Sequence, residues 1–276
     1  MQIILTPLLI RFLLFNSPLQ TRITSHLSLP LSLSRPLSLS KMPRNSIVAA
    51  FPRDLIEEVL ARVASDSPTP LRDLTNLRRS CKVLYEMSKS REVGRRMAVE
   101  REGMLSWWDR EKFLDLIRSC AKSGNLEACF VLGLDEFYNK RRRAEGLRHL
   151  REAAAGGHRA AAYAAGMLLF RRPSTRRLGI EQLESVADVG GAAAVGKWRR
   201  EAASGVRAIT WKRWRRRPLK RSSEEGPCAD RRCGAAAAAA EKGGGEWWWE
   251  GEERERRFCS RECRWRHEYY KFIETI

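Results

Sequence analysis

The chain has 276 residues, with 52 Lys plus Arg against 33 Asp plus Glu, a formal net charge of +19, and 43% hydrophobic residues. That apolar content can fill one or two domains of ~100–200 residues, and the basic excess excludes an acidic solvating protein. The charge is local: residues 207–221 hold eight Lys/Arg and no acid, and residues 1–53 contain no Asp or Glu.

Residues 3–15 are apolar, but Pro7 and Arg11 interrupt them and the run falls short of the ~20 residues a spanning helix needs. No membrane span is expected. Residues 16–40 are Ser, Leu, Pro and scattered Arg, a mixture with neither a helical nor a strand period. We expect residues 1–45 to be a disordered leader or an artefactual extension, with translation starting at Met42. An organelle transit peptide is the second reading, since the stretch carries Arg and Ser and no acid.

Pro52, Asp54 and Glu57 place a fixed φ, a short acceptor and a carboxylate in one helical turn, which predicts a helix start. Leu55, Ile56, Val59, Leu60 and Val63 then share one helical face. Residues 65–70 carry two prolines and must break the chain, after which Leu71, Leu74, Leu77, Cys81 and Leu84 form a second stripe at spacings of three and four. Some 35 residues cannot enclose both faces, so the rest of the chain or a partner must cover the surplus.

Phe51-Pro52, Asp54-Leu55-Ile56, Val59-Leu60, Val63 and the later Cys81-Lys82-x-Leu84 make residues 46–95 resemble the F-box family. The resemblance implies a small helical bundle that binds the Skp adaptor of a cullin-containing ubiquitin ligase. Carried over, the adaptor contacts are Phe51, Pro52, Leu55, Ile56, Val59 and Leu60. An ordinary helical hairpin packed on its own domain is the alternative.

Further along, small residues recur at a fixed offset. Ala121, Ala154 and Ala187 are 33 apart, as are Gly124, Gly157 and Gly190, then Ala128, Ala161 and Ala194, with Gly133 and Gly166 sharing the offset. Small residues let helices cross closely, and Gly at a helix end permits a left-handed cap, so each unit reads as a helix pair. The blocks at 121–133 and 154–166 resemble Sel-one-like repeats, relatives of the tetratricopeptide repeat. This implies a short α-solenoid over residues 108–205 that makes protein contacts. The third copy reads as degenerate, with a poorly marked second helix around Lys197-Trp198 and the role of an atypical cap. His158 is expected in a turn and His149 in solvent, while Tyr163, Phe137, Tyr138, Cys120 and Cys129 are expected in the inter-helix core. Trp107-Trp108 is expected to anchor the domain junction.

Residues 206–227 form a basic linker whose densest part, 211–221, mixes Lys and Arg with Trp211 and Trp214. Such a run suits nuclear import or a solvated linker better than nucleic-acid binding.

Four of the seven cysteines fall in residues 228–276, a distribution that fits a metal site in a reduced compartment better than a disulfide framework. Cys228-x4-Cys233 and Cys259-x3-Cys263 are two close pairs, with His267 as an alternative ligand four positions on. Two pairs of thiolates can close one zinc tetrahedron. If the tail is helical, Cys259, Cys263 and His267 lie on one face at i, i+4 and i+8. Phe258-Cys-Ser-Arg-Glu-Cys263 looks like a segment of the MYND zinc finger. The resemblance implies one structural zinc on Cys228, Cys233, Cys259 and Cys263, the ligands of a second ion being absent.

The expected fold is mainly α: an F-box helical bundle, a short α-solenoid and a small zinc-binding tail. F-box, Sel-one-like repeats and a MYND finger occur in this order in a plant family. The combined resemblance implies a non-catalytic substrate receptor of a Skp-cullin-F-box ubiquitin ligase, with its target on the repeats or tail. The residues show no phosphate-cradling Gly loop, no paired carboxylates in a plausible site and no Ser/His/Asp or Cys/His arrangement outside the zinc pattern. The alternatives are a repeat scaffold unconnected with ubiquitin and a nuclear nucleic-acid-associated protein. The expected compartment is the nucleus, the cytoplasm or both.

Overall fold

A computed structural model describes residues 51–210, Cys228, Asp230, Cys233 and residues 258–276, all within one compact unit that begins at Asn45. The leader expected over residues 1–45 and the basic run at 211–221 lie outside the described residues. Among those residues every regular element is helical.

Pro52, at φ −56°, precedes helix α1 (Arg53–Asp66) and accepts from the amides of Leu55 and Ile56. This helix buries Ile56, Leu60, Ala61 and Ala64 and leaves Leu55 outside, so its inner stripe is rotated from the expected face of Leu55, Ile56, Val59, Leu60 and Val63. The break that follows is held by Asp73, which accepts from the hydroxyls of Ser67 and Thr69, and Pro70 opens α2 (Pro70–Ser80). The second stripe does not lie on one helix. Cys81 is extended (φ −158°, ψ 140°) and separates α2 from α3 (Lys82–Met87). Arg78 Nε donates to Ser88 Oγ across that break at 2.7 Å, and the bend turns Val83, Leu84 and Met87 onto the core that holds Leu74. Helix α4 (Arg91–Arg96) starts at Ser90, whose hydroxyl accepts from the Val93 amide. Arg96 bridges Glu92 of its own helix at 2.6 Å and Glu58 of α1 at 3.1 Å.

A turn of 3-10 helix (Val99–Glu102) leads into α5 (Gly103–Trp108). The two tryptophans are not buried at the junction. Met104, Trp107 and Trp108 are at i, i+3 and i+4, one face of a short helix, and that face is 66%, 58% and 83% exposed while Leu105 turns inward.

The repeat array follows as helix pairs. Helices α6 (Arg110–Lys122) and α7 (Leu126–Leu134) reverse at Gly124 (φ 88°), and α8 (Arg143–Ala155) and α9 (Arg159–Phe170) reverse at Gly157 (φ 99°). The third pair is a single span, α10 (Arg176–Thr210), bent at Gly191 (φ 69°). Its second half is well formed, because Val195, Trp198, Ala202, Ala203, Val206 and Ile209 are all buried. The left-handed residue sits one position after the expected Gly190, where a Cβ would lie 2.7 Å from the Trp198 ring.

The array's period has a packing basis. Ile117, Leu150 and Leu183 are 33 apart and wholly buried. Gly133 faces Gly146 across α7 and α8, and Gly166 faces Gly179 across α9 and α10. A Cβ on Gly146 would lie 2.7 Å from the Gly133 carbonyl, and one on Gly179 would lie 2.8 Å from that of Gly166. Backbone meets backbone at both crossings, so only glycine fits. Apart from Glu127 in its first turn, helix α7 is apolar, and most of its residues are buried. Ala128 and Leu132 join the core of α1–α6, while Phe130 and Leu134 join the core of the later repeats. The first four helices are thus fastened to the array.

The last element is α11 (Arg261–Thr275), and its Trp265, Tyr269, Phe272 and Ile273 belong to the core of the later repeats.

Candidate functional site

Two features gather residues that can do chemistry or bind. One is the start of α11. Ser260 is extended, and its hydroxyl accepts from the Cys263 amide at 3.1 Å, so the helix begins at Arg261, beyond Cys259. The helix therefore carries Cys263 and His267 but not Cys259, and the i, i+4, i+8 face is not formed. The cap brings Cys259 Sγ to 3.3 Å from Cys263 Sγ all the same. Cys228 Sγ lies 3.5 Å from Cys259 and 3.7 Å from Cys263. Cys233 ends a tight turn in which its amide donates to the Asp230 carbonyl at 3.0 Å, and it completes a group of four sulfurs all within 4.8 Å of one another.

These separations are far longer than the ~2.05 Å of a disulfide bond, and the cysteines are free thiols. A tetrahedron of sulfurs ~2.3 Å from a zinc-type ion has edges of about 3.8 Å, close to the three distances above. The donor set therefore fits a soft divalent cation. Crowding by Cys263 and then Cys228 pushes the Cys259 thiol up to about 12. Cys228 is raised as well, although the Asp230 backbone amide favours its thiolate. A bound cation reverses that preference and releases the protons. His267 is not one of the gathered ligands, and its ring packs against Phe258 with centroids 5.6 Å apart.

A second group, Cys129, His149 and Glu152, is equally compact. Here Arg148 donates to Glu152 at 2.6 Å and meets His149 Nε2 at 3.0 Å. The guanidinium already supplies the positive charge, so the group is an ion-pair network. His149 is half-buried rather than solvated. His158 caps α9, with Nδ1 accepting from the Ala161 amide, and its ring stacks on Phe130. Tyr163, Phe137, Cys120 and Cys129 are in the core, with burial pushing the Cys120 thiol up to about 12.

The other feature is the outer face of the first helices. Of the six residues expected to meet an adaptor, Phe51 and Leu55 are exposed at 44% and 42%, Pro52 is exposed and Val59 is half-buried. Ile56 and Leu60 point into the chain's own core at 6% and 1% exposure. Tyr85 of α3, which periodicity did not single out, is 44% exposed, with the Lys89 ammonium 3.8 Å above its ring.

A family model described as plant tetratrico peptide repeats matches residues 100–205. The chain is 27% identical over 139 residues to an F-box protein of Arabidopsis thaliana, covering 49% of this chain and 36% of that protein. It is 29% identical over 160 residues to a putative F-box protein of the same plant, covering 58% of this chain and 52% of the relative. The matches thus span about a third and about half of these relatives' lengths. No solved structure matches the chain. The chain is therefore a helical repeat protein related to plant F-box proteins, with a cysteine cluster able to hold a metal ion.

Proposed function

We propose that this chain is a non-catalytic substrate receptor of a Skp-cullin-F-box ubiquitin ligase. The observation that carries the reading is the division of α1 into two sides. Ile56, Leu60, Ala61 and Ala64 lock it to the following helices, while Phe51, Pro52 and Leu55 remain open to solvent. Large apolar side chains exposed together on a rigidly held helix start suit a partner's groove, and the similarity to F-box proteins supports a Skp-type adaptor as that partner. Through the adaptor the chain meets a cullin. The ligase then gains by holding a target lysine near the charged conjugating enzyme, a matter of local concentration with no shifted pKa required. The repeats, read as Sel-one-like, carry the target. The four-cysteine tail, read as a degenerate MYND finger, holds one structural zinc. The complex works in the nucleus, the cytoplasm or both.

The test is retention on an immobilised Skp-type adaptor. Phe51→Asp plus Leu55→Asp should reduce retention at least tenfold with the circular dichroism melt unchanged, because both side chains are outside the core. Leu60→Asp is unsuitable, since it buries a charge and tests folding instead. Retention of the double variant equal to wild type removes the adaptor reading.

A further inference from the structure

Helix α11 lies against α9 and both halves of α10 as a docked ligand would. On one face Tyr163 and Phe272 meet edge-on at 5.6 Å and Phe170 lies 5.9 Å from Tyr269. At its centre the Glu268 carboxylate accepts from the Tyr163 hydroxyl at 2.9 Å and from Arg199 at 2.7 Å. Toward its start Glu262 pairs with Arg176 at 3.0 Å and Arg261 with Glu184 at 3.1 Å. At its end Arg207 donates to the Thr275 carbonyl, where a cation also suits the helix dipole.

The array thus recognises an amphipathic helix with aromatic residues at i, i+4 and i+7 (265, 269, 272) and a carboxylate at i+3 (268). Two observations are compatible with a seat that can be vacated. Among the described residues, the indole N–H of Trp265 and the phenol of Tyr138 are buried without a hydrogen-bond partner, a cost that a better-fitting helix would avoid. A segment of 15 residues is also marginal as a helix by itself, and it is pinned at its first turn by the four thiols.

We propose that the thiol cluster controls this groove. With a soft divalent cation on the cysteines, α11 fills the groove in cis. Without the cation, the first turn of α11 loosens and the groove accepts a partner helix of the same acidic, aromatic chemistry. This inference rests on the metal centre proposed above and adds its consequence for target binding.

The experiment uses the full chain as purified, the same chain after treatment with a zinc chelator, and the Cys259→Ser plus Cys263→Ser variant. Metal content is measured on each sample, alongside hydrogen exchange of α11. The amides of α6 report global unfolding, because that helix belongs to the other core. The probe is a fluorescent synthetic peptide of residues 261–276 with Cys263→Ser. The expected result is about one metal per purified chain, slow α11 exchange and no peptide binding. Chelation or the double variant should speed α11 exchange at least tenfold with α6 unchanged, and should allow the peptide to bind. Arg199→Ala in the double variant should weaken that binding about tenfold by removing one partner of the peptide's carboxylate.

If the metal leaves while α11 exchange stays slow and the peptide stays unbound, the switch is overturned and the metal centre stands. If α6 exchange rises together with α11, the cation supports the whole fold and the switch is likewise overturned. A purified chain without metal removes both.

Discussion

Asn125 Nδ2 donates to the Met97 carbonyl at 2.7 Å, while Asn125 Oδ1 accepts from the Ala128 amide at 2.9 Å. Asn125 Nδ2 also donates to the Arg95 carbonyl at 2.9 Å. One side chain thus caps the start of α7 and the end of α4, joining the first four helices to the array. His158, 33 residues on, caps α9 in the same way, but its other nitrogen meets Glu127 at 2.7 Å near the surface.

Asn125→Ala should therefore destabilise more than His158→Ala. The first change removes a cap and the side-chain bonds that tie the end of α4 to α7, about 2–4 kcal/mol together, whereas the second removes a cap, about 1 kcal/mol. Asn125→Asp keeps the cap acceptor but turns a buried carboxylate oxygen onto the Arg95 and Met97 carbonyls, so it should be at least as destabilising as Asn125→Ala. Urea unfolding of the three variants measures the order.

The contrast shows what the sequence could and could not disclose. The period of 33 was legible because every unit needs small residues at the same crossings. Gly146 and Gly179, themselves 33 apart, were an available signal that a wider alignment of the units would have caught. The gathering of the four cysteines was legible as two close pairs. The seat of α11 was not, because Tyr163 and Glu268 meet across 105 positions and no local period marks such a contact. Nor could spacing show that Ile56 turns inward while Leu55 stays out, since both fit one stripe and tertiary packing chooses the rotation.

Gly179→Ala should be strongly destabilising. Its Cβ would sit 2.5 Å from the Phe170 amide nitrogen and 2.8 Å from the Gly166 carbonyl, backbone atoms that cannot swing aside. About 3 kcal/mol or more is expected from such overpacking. Gly103→Ala is the control, with nothing within 4 Å of the added carbon, and should be neutral or slightly stabilising. Thermal melts of the two variants make the comparison.

Acid should weaken the attachment of α4 to α1. Hydrogen bonds from Arg95 and then Arg96 hold the Glu92 carboxyl down at about 2 from an ordinary 4.5, and Arg62 followed by Arg96 also lowers Glu58. A depressed folded value means that the stabilisation is complete above the unfolded value and is lost as the pH falls from about 4.5 through about 2. Glu92→Gln should flatten the stability profile within that window and leave neutral pH little changed, because these exposed pairs are screened. Added salt should diminish the wild-type slope in the same range. Denaturation midpoints across pH read both effects.

Trp108→Ser should leave stability within about 0.5 kcal/mol of wild type, because the side chain is 83% exposed. A large loss in the thermal melt would restore the junction-anchor role that its exposure argues against.

The contact among Tyr163, Glu268 and Arg199 is a coupled unit, and substitutions within it should not add. Glu268→Ala leaves Arg199 only 14% exposed and without that carboxylate, and the same change strands a wholly buried tyrosine hydroxyl. A loss of about 2–4 kcal/mol follows from the stranded hydroxyl and the lost charge-assisted hydrogen bond. Tyr163→Phe removes a single hydrogen bond and keeps the ring against Phe272, so about 1–1.5 kcal/mol is expected. Glu268→Gln should fall between them, since an amide oxygen can still accept while the attraction to the guanidinium is lost. In the double variant Tyr163→Phe plus Glu268→Ala, the hydroxyl that would be stranded is already gone. Its loss should therefore be smaller than the sum of the two single losses by about 1 kcal/mol. Strict additivity in urea unfolding would mean that α11 does not hold the tyrosine, and that the helix is seated by its aromatic face alone.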